Sequence, residues 1–419
     1  MKRLRATRTI ASIAAASAWL VLAAEAGART FEVTTVADHA PKACTAGDCT
    51  LREAIRAANA SAGRDRVLLP PSKKPYRLTR QGDSEDKGRT GDLDLDGDGV
   101  LIRGKSPKRA VIKQTEADRV LEVTEPTAAF VSLRNVTLRG GDAAASGGGL
   151  RTEGLTSLRR VVVRGNRAEP GTGGGIATSG EAAQLRIRQT TIAANVAAST
   201  GGGITMTGID LDSEIEATTI SGNAAARGGG IWTNPDQGRL TIVNSTISDN
   251  TAVSPDPPTA PATGGGINVV DLANDDVGPD VRLEYTTVAG NESLPGRVAN
   301  LVSGYAVQLQ NTIIAEPIGA VSCGGTQDSH GYNLDEGTSC DLDLATDHEN
   351  ADASLSPLAD NGGPTQTRAV GLGSDAISEG DCTPTFVLPG FDLSVDQRGV
   401  SRPQTNCDIG AYEFQISFP

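Results

Sequence analysis

Five times along this chain a run of three glycines precedes a branched aliphatic residue: Gly147–Gly149 before Leu150, Gly173–Gly175 before Ile176, Gly201–Gly203 before Ile204, Gly228–Gly230 before Ile231 and Gly264–Gly266 before Ile267. Between the triplets stands a second mark, Asn166, Asn195, Asn223, Asn250 and Asn291, with Gly141 and Pro317 at the same place in the outer copies. Most steps between marks run 25 to 29 residues. That period is too short for a packed helix pair with its loops and fits one coil of three short strands in a stacked solenoid.

Alignment on the asparagine column assigns the strands. Three positions before it stand Leu138, Val163, Ile192, Ile220, Ile247, Val288 and Ile314; eight before it stand Leu133, Leu158, Ile187, Ile215, Ile242, Leu283 and Leu309. Ten before it, Val131, Leu185, Leu240, Val281 and Val307 continue the inward alternation, broken by Thr156 and Ser213. Side chains of a strand alternate with period 2, and the phase slips between the eighth and fifth positions, as a corner between two strands requires. Stacked coils then form parallel sheets around a dry aliphatic core. Fifty glycines and only 3% aromatic residues suit such a core, which is made of many small contacts. The predicted fold is all-β: a single-stranded right-handed parallel β-helix.

At a tight corner asparagine tolerates the left-handed conformation, and its amide can bond to the asparagine one coil away, so the column is expected to be a structural spine. The glycine triplets are assigned to the opposite corner, where φ is positive or backbones approach closely. The step from Asn250 to Asn291 is 41 residues, and the extra length falls in 254–263 and 271–280, read as surface loops able to carry a contact surface.

The ends differ from the repeats. Thr50-Leu51-Arg52-Glu53 is a capping box, and Leu51, Ala54, Ile55 and Ala58 give one apolar helical stripe ended by Gly63, suited to lying over the first coil. From Ala351 to Phe414 the triplets vanish and turn chemistry dominates, read as a C-terminal cap. Lys2, Arg3, Arg5 and Arg8, an apolar run from about Ile10 to Ala24 and the small residues Ala26-Gly27-Ala28 read as a secretory leader. The resulting division is 1–28 signal peptide, 29–130 N-terminal cap and irregular first coils, 131–320 regular repeats, and 321–419 C-terminal coil and cap. Loss of the leader takes the formal charge from −13 to about −16, which disfavours nucleic acid and anionic membrane as partners. Six cysteines in an exported chain are three disulfides; proximity suggests Cys44–Cys49, Cys323–Cys340 and Cys382–Cys407 among 15 connectivities. No segment of the mature chain is long and apolar enough to cross a bilayer, so the expected address is extracellular or cell-surface, with association to an outer membrane allowed.

Cys49-Thr50-Leu51-Arg52-Glu53-Ala54-Ile55 resembles the Cys-Ser-Leu-Arg-Glu-Ala motif of a class of bacterial exported proteins, with Thr in place of Ser. Gly331-Tyr332-Asn333-Leu334, Leu358–Thr365, Asp396–Pro403 and Cys407–Glu413 resemble the choice-of-anchor type Q region that accompanies that motif. The repeats are similar to those of polymorphic outer-membrane proteins, with Gly and Ile/Val replacing Ala and Phe. These resemblances imply a secreted or surface β-helix of pectin-lyase-like architecture and carry no chemistry with them.

Outward columns are where chemistry would lie. Seven positions before the asparagine column come Arg134, Arg159, Arg188, Glu216, Val243, Glu284 and Gln310; nine before it come Ser132, Ser157, Arg186, Glu214, Thr241, Arg282 and Gln308. This stacks Arg186 on Glu214 and Arg188 on Glu216, as ion pairs on a solvated sheet or as part of an acidic-glycan stripe of Arg134, Arg139, Arg159, Arg164 and Arg188 beside Glu214 and Glu216. Thr137, Thr191, Thr219, Thr246 and Thr287 are expected on an exposed strand face. Asp92–Asp98 imitates a calcium loop but has Arg103 where the bidentate Glu belongs, leaving room only for weak Ca²⁺ binding. His39, His330 and His348 lie outside the repeats, with no nucleophile that spacing identifies. No catalytic residue and no cofactor is assigned. The expected function is a non-enzymatic scaffold for binding or adhesion, its partner an extracellular polysaccharide or surface protein; the alternative is a polysaccharide lyase or glycoside hydrolase.

Overall fold

The structure is a computed structural model and describes residues 27–82, 87–124, 130–180, 183–207, 212–234, 238–253, 263–270, 280–319, 321–383 and 390–415. Most of the expected leader, nearly all of the two loops expected at 254–263 and 271–280, and the last four residues therefore lie outside it.

One coil shows how the chain winds. Ile176–Thr178, Gln184–Arg188, Thr191–Ala193 and the short Val196–Ala197 follow one another, and Ile204–Thr207 begins the next coil directly above Ile176–Thr178. Repetition builds parallel sheets of 11, 11 and 9 strands and a narrow one of 5 among the described residues. We call these the first sheet (the Gln184–Arg188 position), the second (Thr191–Ala193), the third (Ile176–Thr178) and the fourth.

The columns fall into register as the pattern requires. Leu158 pairs with Ile187, Ile187 with Ile215, Ile215 with Ile242, Ile242 with Leu283 and Leu283 with Leu309, every one fully buried. Thr156 and Ser213, where the aliphatic pattern breaks, point inward all the same; Thr156 exchanges a 2.7 Å hydrogen bond with Thr152. Each buried Ile or Leu contributes roughly 1.5–3 kcal/mol over an exposed one, so the repeated column is the main stabilising element.

The corners depart from expectation. The asparagines are not left-handed. The residue before each is: Gly165 (φ 59°), Ala194 (54°), Gly222 (61°), Asp249 (58°) and Gly290 (67°). A second left-handed corner joins the first and second sheets at Asn135, Arg160, Gln189, Ala217, Asn244, Tyr285 and Asn311, φ 46° to 55°. The spine itself is present. In the Asn195–Asn223 rung, Asn195 N and Nδ2 both donate to Asn223 Oδ1 at 3.0 Å, and Asn195 Nδ2 also donates to Val163 O. The same rung links Asn166 to Asn195, Asn223 to Asn250 and Asn250 to Asn291, and Asn300 closes the ladder by accepting from Asn291 at 2.9 Å.

Nor do the glycine triplets sit opposite the spine. The first glycine of each supplies positive φ, and the third is packed against it: a Cβ on Gly203 would lie 2.5 Å from Gly230 O and 3.1 Å from Asn223 Nδ2. The two repeating marks are one device, an amide ladder lying against bare backbone.

A hydroxyl column runs along the corner between the first and second sheets at Thr190, Thr218, Ser245, Thr286 and Thr312. Each is fully buried and bonded to a backbone carbonyl two residues earlier, as in Thr218 Oγ1 to Glu216 O at 2.8 Å.

At the N-terminal end, helix α1 (Leu51–Asn59) has the expected capping box and buried stripe; it stops at Asn59 with Ala60 as C-cap, before Gly63. Arg52, 1% exposed, explains the motif around it. Its guanidinium bonds Asp38 at 2.9 and 3.2 Å and the carbonyls of Asp92 at 2.7 Å, Gly91 at 2.8 Å and Thr90 at 3.1 Å, clamping the 88–92 turn to the helix. The disulfides are Cys44–Cys49, Cys323–Cys340 and Cys382–Cys407.

The expected C-terminal cap is instead a lateral strap. The main core ends at Cys323, Cys340 and Leu342, whereas residues 351–383 and 390–415 run back along the side of the helix over the corner between the first and second sheets. They bury a second apolar cluster of Ile313, Leu334, Ala353, Val370, Ala376 and Ile409. This corrects the threonine column: Thr219, Thr246 and Thr287 are buried under the strap. Gln397 accepts from Thr246 Oγ1 at 2.6 Å and donates to Thr219 Oγ1 and Thr365 Oγ1 at 3.0 Å. Arg402 stacks 3.8 Å over the Tyr285 ring and bonds Glu413 at 3.0 Å, while Asp396 accepts from Val400 N and Glu413 N. Leu358–Thr365, Asp396–Pro403 and Cys407–Glu413 thus take part in an intramolecular clasp.

Candidate functional site

The five arginines expected to form one stripe do not. Arg134, Arg159 and Arg188 stack on the first sheet, where register adds Arg103, giving the ladder Arg103–Arg134–Arg159–Arg188. Arg139 and Arg164 lie across the corner on the second sheet and continue a different ladder, Arg77–Lys113–Arg139–Arg164. Neighbouring strands are about 4.8 Å apart, and like charges directly opposite one another destabilise a sheet. Yet among the described residues Arg103, Arg134 and Arg159 have no carboxylate within ion-pair distance, and all three are exposed. On a chain with a formal charge of −13 this is a concentrated exception.

Only the last rung is compensated. Arg188 Nε lies 2.9 Å from Glu216, and its Nη2 lies 3.5 Å from Glu214 and donates to Gly390 O of the strap. Phe391 adds a ring 6.0 Å from the same guanidinium. Arg186, expected on Glu214, is in register with it but exposed; Arg188 takes both carboxylates. Burial raises the Glu216 pKa above the usual carboxylate range, and Arg188 opposes the shift. Arg159, Arg188 and Glu216 open with Asp392 and Gln397 onto a cleft of about 220 Å³, so the ladder runs out beneath the strap. At its other end Arg103, Arg134, Arg159 and Arg160 line a shallow groove around Asn135, itself one of the left-handed corner residues.

The acidic candidates are already engaged. Asp92, Asp94 and Glu122 bring carboxylate oxygens within 4.8 Å of one another, a grouping that could hold a cation. Arg119 sits 3.4 Å from Asp92 and also pairs with Glu122, which Arg151 reaches from the next coil. Burial, reinforced by neighbouring carboxylates, pushes Asp92 up to about 8. Among the described residues Asp92–Asp98 is a strand, Leu93–Leu95, followed by a turn. His39 bonds Asp48 at 3.0 Å, and His330 and His348 lie 3.6 and 3.7 Å from Asp328 and Glu379. The fourth arginine, Arg103, was legible only to a count that carried the columns back into the irregular early coils, and Arg160 carries no sign of its place at a corner.

Among the described residues no helix is long and apolar enough to cross a membrane. A comparison with curated proteins finds no match. Residues 123–314 match the family model described as a right handed beta helix region. Among solved structures, the crystal structure of pectate lyase Pel9A is similar to 93% of this chain and 98% of its own length, with a TM-score of 0.56 and 12% sequence identity. With the parallel sheets and their stacked register, these likenesses make the chain a right-handed parallel β-helix, and their reach is the fold.

Proposed function

We propose that this chain is an exported, non-enzymatic β-helix scaffold that binds an acidic polysaccharide along its arginine ladder. The observation that carries the reading is Arg103–Arg134–Arg159–Arg188, four stacked guanidinium groups of which the first three have no carboxylate partner among the described residues. A rung spacing of about 4.8 Å is close to the length of one sugar residue, so a linear uronate chain lying along the helix axis would offer about one carboxylate per coil. Export is supported by the leader-like N-terminus and by three disulfides, which persist in oxidising compartments.

The scaffold reading is favoured over a hydrolase because the carboxylates beside the ladder, Glu214 and Glu216, are both held by Arg188. A hydrolase needs one carboxyl as acid and another as base or nucleophile on either side of the scissile bond. The test is a glycan array on the mature protein with parallel lyase and hydrolase assays, repeated on Arg134→Ala/Arg159→Ala. Each exposed pair is worth up to about 1 kcal/mol, so polyuronate affinity should fall roughly 3- to 30-fold and weaken with added salt. Unchanged binding in the double variant removes the proposal. Depolymerisation by the wild type, lost in the variant, replaces it with the enzyme reading.

A further inference from the structure

We infer that the second sheet carries a separate pocket for a phosphate or sulfate ester, distinct from the arginine ladder. A cavity of about 450 Å³ opens on the outer face of the early coils, within the size range of small-ligand sites. Lys73 and Lys74 reach it from the loop after Leu69, Lys108 from the loop after Gly104, and Arg139 and Arg164 from adjacent strands of the sheet. Val111 and Val162 form its floor, and no acidic residue lines it among the described residues.

The pocket is built before any ligand arrives. Ser72 N donates to Arg109 O at 2.8 Å, tying one loop to the other, and Thr137 Oγ1 donates to Pro107 O at 2.9 Å, tying the second loop to the sheet. Five cations thereby surround one cavity, and no acidic residue in its lining relieves their mutual repulsion among the described residues. The Nε of Arg139 is buried without a hydrogen-bond partner, a donor left over by the protein's own contacts.

A single carboxylate would answer only part of this charge. A tetrahedral ester anion, dianionic as the phosphate and monoanionic as the sulfate, offers three oxygens to several donors at once and gains charge-assisted bonds from each. Its ester body would rest on the valine floor. The arginine ladder, by contrast, is an open row in which each rung meets one anionic group. The two sites therefore select for different anions, clustered against linear.

The test is isothermal titration of the full chain with inorganic phosphate and, in a separate arm, inorganic sulfate, at constant ionic strength. Saturable binding of about one equivalent in either arm is expected, and the arm that binds more tightly names the ester. Lys74→Glu/Lys108→Glu, both at exposed positions, should weaken it at least tenfold while leaving polyuronate binding within twofold. Arg134→Ala/Arg159→Ala should do the reverse, so this pocket and the ladder stand or fall separately. No saturable heat in either arm, or unchanged affinity in the lysine double variant, overturns the inference.

Discussion

Replacing Asn223 by alanine tests whether the amide ladder stabilises the stack or merely occupies it. The Asn223 amide accepts two bonds from Asn195, one from its backbone N–H and one from its Nδ2, each at 3.0 Å. It donates to Ile192 O at 3.0 Å and to Asn250 Oδ1 at 2.9 Å. Alanine keeps the backbone bond from residue 223 to Asn250 Oδ1 but leaves the Asn195 N–H and one Asn195 amide hydrogen without acceptors, in a place where Asn195 is fully buried. An orphaned buried donor costs about 1–3 kcal/mol, so the change should destabilise by roughly 2–6 kcal/mol. Solenoids open locally, so the readout is hydrogen exchange rather than one global midpoint. The amides of Asn195 and of the strand Thr219–Ser221 should lose protection, with strands more than two coils away little affected. A loss below about 0.5 kcal/mol with Asn195 still protected would refute the reasoning, because surface-like substitutions stay within that range.

Two further outcomes follow from buried charges. Glu284 is fully buried, accepts from Asn311 Nδ2 at 2.9 Å, and has its other oxygen unpartnered; burial pushes it up to about 8, with Asp381 adding to the rise and Arg402 opposing it. A carboxyl whose folded pKa is raised stabilises the fold below its ordinary value of 4.5, and that stability is lost as pH climbs through about 8. Glu284→Gln should therefore match the wild type near pH 4 and exceed it by a few kcal/mol near pH 9 in denaturant melts; parallel pH profiles would contradict this. Arg52→Lys keeps the charge but cannot span Asp38 and three carbonyls at once, so about 2–4 kcal/mol should be lost and the 88–92 turn should become cleavable in limited proteolysis. Wild-type resistance to cleavage would show that the clamp is dispensable.

The core was legible because a strand repeats its facing every second residue and each coil repeats the last. Ile187 and Ile215 occupy the same place in the same environment, so a column can be counted without a structure. The hydroxyl column at Thr190, Thr218 and Ser245, five positions before each asparagine, shares the inward strand phase, but its residue types do not advertise complete burial. The corners were harder. Arg160, Gln189 and Tyr285 adopt φ of 46° to 52°, a conformation their side chains do not advertise. The expected glycan stripe merges two sheets because Arg134 and Arg139 both point outward, and outwardness alone does not say from which sheet. Least legible was the strap, since the contact between Thr246 and Gln397 joins residues 151 apart that share no period.

The strap also acts as a gauge of the winding. Thr365 bonds Ala217 O, Gln397 spans Thr219 and Thr246, Arg402 reaches Asn244, and Gly410 and Ala411 reach Asn311 and Thr287, so the grips are spread over four successive turns of the coil. A register slip of one turn anywhere between Ala217 and Asn311 would leave at least one grip facing the wrong side chain. The strap, which follows in the chain the turns it grips, can therefore close only over turns that have been laid down in the right number and order, and its closure certifies the count.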